Sequence, residues 1–69
     1  MQDISIKSKI ITGLAYDEAY RKLRIVFKNS KVRQFSEVPA HVVQQLVAAP
    51  SPGQFYIDHI RNNFARLHG

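Results

Sequence analysis

The chain has 69 residues and makes a single domain at most; at this size only about 60% of the unfolded surface is buried on folding, so the core is thin. With no cysteine there is no disulfide frame, thiolate zinc site or thiol chemistry, and 45% hydrophobic with 22% charged residues excludes bulk disorder. The formal net charge of +5 lies wholly in residues 1–35, where eight Lys and Arg face three acids, whereas residues 36–69 carry two of each.

In chain order, Ile10 to Tyr16 and Leu23 to Phe27 are short, β-branched and aromatic-rich, as strands are. In the second, Leu23, Ile25 and Phe27 alternate with Arg24, Val26 and Lys28, which sets an apolar face against a largely basic one. Between them residues 14–23 read equally as a hairpin loop or as a helix, because Tyr16, Tyr20 and Leu23 also fall at helical spacing. Lys28-Asn29-Ser30-Lys31 is a hairpin turn from which Val32 to Glu37 returns.

The direction of Phe35 depends on that turn. A two-residue loop sets Arg24 opposite Phe35 and puts the ring on the outer face among cations, at the expense of opposing Lys28 and Lys31. A three-residue loop after Lys28 sets Ile25 opposite Phe35 and buries the ring, as is usual for an apolar side chain in a small domain.

The second half is helical. Pro39 suits a first helical position, and Val42, Val43, Leu46 and Val47 form an apolar stripe that Pro50 ends. Ser51-Pro52-Gly53-Gln54 has the spacing of a capping box; Tyr56, Ile57, Ile60 and Phe64 continue the stripe, and Asn62-Asn63 is a left-handed stop that turns Phe64 back on the core.

The ordered set Ala15-Tyr16-Asp17, Leu23-x-Ile25-x-Phe27-Lys28-Asn29, Val32-x-x-Phe35-x-x-Val38-Pro39, Gly53-x-Phe55 and His59-Ile60-Arg61 resembles the KTSC domain. That domain is named for the carboxyl-terminal extension of some lysyl-tRNA synthetases and also occurs alone as a small bacterial or phage protein. The resemblance covers residues 8–66. It implies an α+β fold, a three-stranded antiparallel β-meander followed by two helices packed on one face, and so favours a hairpin between Asp17 and Lys22. Attachment to synthetases points to RNA. The family's central tyrosine-x-tyrosine falls here on Arg33-Gln34-Phe35, and its usual glycine in the second turn is Ser30. The expectation is one domain over 1–69, ordered over about 8–66. Strands run over 9–16, 22–28 and 32–37 and helices over 39–48 and 52–62, with Leu14, Leu23, Ile25, Phe27, Val43, Leu46, Val47, Phe55 and Ile60 as core.

Enzyme signatures are thin: the chain has no Gly-x-Ser-x-Gly elbow and no glycine-rich phosphate loop, so no enzyme activity, catalytic residue or cofactor is expected. His41, His59 and His68 lack the three- or four-residue spacing of a helical metal pair, and no metal is expected. Asp17 and Arg61, which both fall within the family pattern, suggest a bridge from the first hairpin to the last helix, or an arginine that holds phosphate. The charge asymmetry fits either a solvated face or a polyanion surface. In the second case Lys22, Arg24 and Lys28 on the exposed sheet face, with Arg33 and Arg61 at its edges, neutralise the phosphates of RNA or other nucleic acid without reading sequence. The alternative is a protein-interaction or homo-oligomerising module that uses a sheet edge or the helix surface. With no apolar run long enough for a membrane span and no basic leader followed by an apolar stretch, the expected compartment is the cytoplasm.

Overall fold

The computed structural model describes residues 2–64 and, as backbone, residues 66–67. Gln2–Ile4 forms β1, Ile11–Asp17 β2, Lys22–Phe27 β3 and Val32–Phe35 β4; α1 (Ala40–Ala48) and α2 (Pro52–Phe55) follow, α2 runs into a π-helical turn over Tyr56–Ile60, and Arg66–Leu67 returns as β5. The sheet is antiparallel in the order β1-β2-β3-β4-β5. The α+β class and the strands-then-helices order are therefore as expected, but four strands rather than three precede the helices. The added strand, β1, is too short and polar to show alternation; it exists because it pairs with β2, Ile4 opposite Leu14 and Gln2 opposite Tyr16.

Residues 18–21 are a turn, which settles the ambiguity over 14–23 in favour of a hairpin. Asp17 drives it: its Oδ1 accepts hydrogen bonds from the amides of Ala19 (3.1 Å) and Tyr20 (3.3 Å), an Asx turn that Arg21 closes in the left-handed region at φ 54°. The second turn holds Lys28, Asn29 and Ser30, with Ser30 at φ 68° and the Phe27 amide donating to the Lys31 carbonyl at 2.8 Å. Neither expected register occurs. The loop starts one residue earlier, so Phe35 lies opposite Leu23, and Arg33 opposite Ile25. The parity of the three-residue alternative is kept, and Phe35 is buried.

A bulge at Thr12, whose hydroxyl donates to the carbonyls of Val26 (3.3 Å) and Phe27 (3.4 Å), lets Ile11 and Leu14 both face the core although they are three residues apart. Leu14, Tyr16, Leu23, Ile25 and Phe35 form the sheet side of the core; Val38, just before α1, and Val43, Leu46, Tyr56 and Ile60 from the helical half close it. Phe27 and Phe35 both meet the Tyr56 ring edge-on, at 5.1 and 5.8 Å between centroids. Phe27 and Phe55 are half-buried against this core, and Val47, expected inside, is 38% exposed because Leu46 takes the inward position of that helical turn. Tyr16 donates from Oη to the Val38 carbonyl at 2.6 Å, and burial holds its phenol above the ordinary tyrosine pKa against the lowering effect of the Arg21 charge.

Local signals at the helix ends differ from expectation. Pro39 is the N-cap residue of α1 rather than its first helical residue. Ser51 caps α2 without a side-chain hydrogen bond, and Gln54 donates forward to Asp58 Oδ1 at 2.9 Å instead of reaching back. Asn62 and Asn63 are not left-handed; Asn63 is tied to the preceding turn by its side chain, which donates to the His59 carbonyl at 2.9 Å, and Phe64 still packs on the core.

Candidate nucleic-acid interface

An antiparallel meander brings the start of β2, the end of β3 and the start of β4 to one end of the sheet, and the π-helical turn finishes over the same end. Residues 7–10, 28–33 and 61–62 therefore meet although they are distant in sequence. Between them lies an open cleft of ≈ 1050 Å³ lined by Lys9, Lys28, Lys31, Arg33 and Arg61, with the more buried Phe27 and Tyr56 as its apolar floor and the exposed Ile10, Asn29 and Asn62 at its edge. Among the described residues five cations line it and no carboxylate does.

Each wall is held by local structure. Ser8 Oγ accepts from the amides of Ile10 (3.1 Å) and Ile11 (3.2 Å), and the Lys28 amide donates to the Ile10 carbonyl at 2.7 Å, so the segment carrying Lys9 is fastened to the β3–β4 turn. Within that turn Asn29 Oδ1 accepts from the Lys31 amide at 3.1 Å, which holds the two lysines on either side of it. Arg33 is half-buried on the helix-covered face of the sheet, opposite Ile25, so its side chain belongs to the cleft rather than to the outer face. Arg61 is set by the π-turn, its amide donating to the Tyr56 carbonyl at 2.9 Å; the extra residue in that turn rotates the helix end relative to an α-helical continuation.

The expected site residues thus separate into two groups. Lys28, Arg33 and Arg61 come together in the cleft, whereas Lys22 and Arg24 stand on the opposite face of the sheet. There Lys22 pairs across the strands with Asp17, its ammonium 5.8 Å from the Tyr20 ring centroid, and Arg24 shares a cross-strand row with Ala15 and Asp3. The outer face is mixed in charge, not a basic plane. Lys28 leaves that face because β3 ends at Phe27. The expected Asp17–Arg61 bridge does not form: Asp17 ends β2, and Arg61 lines the cleft beside Ile10, just before that strand begins. Lys9 and Lys31 were not singled out by sequence; the signal for them is that hairpin pairing places the residues before β2 beside the β3–β4 turn. Among the described residues no group of three metal-ligating side chains converges. His41 and His59 are exposed, the latter against the Phe55 ring at 4.7 Å, and His68 lies outside the described residues. No helix among the described residues is long and apolar enough to cross a membrane.

The family model of the KTSC domain matches residues 7–64. A crystal structure of a KTSC domain protein from Yersinia pestis is similar over 99% of this chain and 96% of its own, with a TM-score of 0.89 at 28% sequence identity. No curated protein matches the sequence.

Proposed function

The chain belongs to the KTSC domain family, and for this member we propose a non-enzymatic module that binds RNA or other nucleic acid, without sequence specificity, through the cation-walled cleft at the turn end of the sheet. The observation that carries this reading is the convergence of Lys9, Lys28, Lys31, Arg33 and Arg61, from three separate stretches of chain, on one cleft that no carboxylate lines among the described residues. Cations so arranged repel one another in the free protein and are neutralised together by a row of phosphates, whose displaced counterions drive binding. The outer sheet face supports such binding less well, because Asp3 and Asp17 share it with Arg24 and Lys22.

The test is a titration of single- and double-stranded RNA and DNA at two salt concentrations, with charge reversals on each face. Lys28→Glu with Lys31→Glu and Arg61→Glu is expected to abolish binding at unchanged circular dichroism, since all three side chains are exposed. Lys22→Glu with Arg24→Glu is expected to weaken it only slightly. Each phosphate engaged contributes about −0.7 to the log–log salt slope on a single strand and about −0.9 on a duplex. Absence of binding at low salt, or equal losses from the two faces, overturns the cleft as the nucleic-acid site.

A further inference from the structure

We infer that the ligand is an extended single strand that does not end in the cleft but crosses the Ser8–Ile10 ridge into a second depression beside it. This deepens the proposed function and rests on it. The second depression, ≈ 610 Å³, is lined by Lys7, Ser8, Lys9, Ile10, Pro50 and Ser51. Lys9 and Ile10 line both hollows, so the two adjoin across this segment of chain. Lys7 extends the row of cations past the ridge, and among the described residues the second hollow, like the first, has no carboxylate in its lining.

The ridge is built to keep its place. Ser8 Oγ accepts from the amides of Ile10 and Ile11, and the Ile10 carbonyl accepts from the Lys28 amide. The Ile10 side chain lies so closely over Gly53 that a Cβ there would come within 2.8 Å of its Cδ1. Ile10 nevertheless remains 49% exposed, an apolar crest with Lys7 and Lys9 beside it. An alternation of cation, apolar surface and cation suits a polymer that presents phosphates at intervals with bases between them. A compact phosphate ligand would use the first cleft and leave Lys7 idle. The longest dimension of the molecule, 27 Å, admits roughly 4 to 8 nucleotides, at about 3.4 Å each when stacked and about twice that when extended.

The experiment uses labelled oligouridylates from about 2 to about 12 nucleotides, spanning the usual single-strand site sizes of small domains. Affinity is expected to rise with length and level off within the 4 to 8 nucleotides the molecule can span. Lys7→Gln and, separately, Ser51→Glu are expected to weaken the long strands several-fold and leave the dinucleotide unchanged, and Lys7→Gln should reduce the salt slope on the long strand by about 0.7. Lys28→Gln should weaken every length. If Lys28→Gln weakens binding but Lys7→Gln and Ser51→Glu do not, or if affinity is flat beyond the dinucleotide, the strand stops in the cleft; the extended path is then wrong and the cleft reading survives. If no length binds at low salt, both fall.

Discussion

At the scale of single residues, buried polar atoms and left-handed backbone positions carry the sharpest consequences. The Tyr16 hydroxyl supplies the hydrogen bond that the buried Val38 carbonyl needs, and Tyr16→Phe is expected to lower stability by about 1–3 kcal/mol, because the carbonyl is then left without its partner. The phenol donates only while protonated, and burial raises its pKa in the folded state. Its contribution is thus fully present below the unfolded tyrosine pKa near 10 and is lost as pH rises through the higher folded value. Denaturant melts of both proteins across this range check the sign: the difference between wild type and Tyr16→Phe should shrink above pH 10 and stay constant below it. Ser30, at φ 68°, occupies the turn position that favours glycine. Ser30→Gly is expected to stabilise the protein by about 0.5–1 kcal/mol, seen as a higher denaturation midpoint at unchanged m-value.

At the scale of elements, α1 shows how one position in a helical stripe decides burial. Leu46 is wholly buried in the core, and its neighbour Val47 looks outward. Leu46→Ala should cost about 2–5 kcal/mol and lower the melting temperature by at least about 10 °C, whereas Val47→Ala should move it by no more than a few degrees. Equal shifts in calorimetry would show that the helix is rotated about its axis relative to the sheet.

At the scale of the whole molecule, the gathering of like charges at one end makes the free protein sensitive to salt. At about 0.01 M ionic strength the screening length is near 30 Å, longer than the molecule's 27 Å extent, and at about 0.1 M it is near 10 Å. The melting temperature is therefore expected to rise with salt over this range. Lys31→Gln, which removes one wall of the cleft, should raise it by a degree or two at low salt and by nothing at high salt, while weakening nucleic-acid binding at both. A melting temperature that rises with protein concentration at fixed salt would instead mark self-association as the use of this surface.

The sequence by itself determined the class of each main element. Alternation in Leu23-Arg24-Ile25-Val26-Phe27, the Asn in the second turn and the apolar stripe through Val43, Leu46 and Ile60 are local patterns, and local patterns fix period and partner face. It also located the excess charge in the first half of the chain, and three of the cleft's cations, Lys28, Arg33 and Arg61, were among those it singled out. Tertiary structure alone decided the rest. Of the two faces the sequence left open for Phe35, the structure takes the inner one, and with it sets Arg33 on the cleft side; several turn conformations suit the same four residues, and the choice is made by how well Phe35 and Leu23 pack beneath the helices. Gln2–Ile4 became a strand only because β2 had an unpaired edge beside it. The cleft is a feature of strand ends meeting, so its members are far apart in the chain and share no periodicity; chain closure, not residue pattern, brings Lys9, Lys31 and Arg61 to one place.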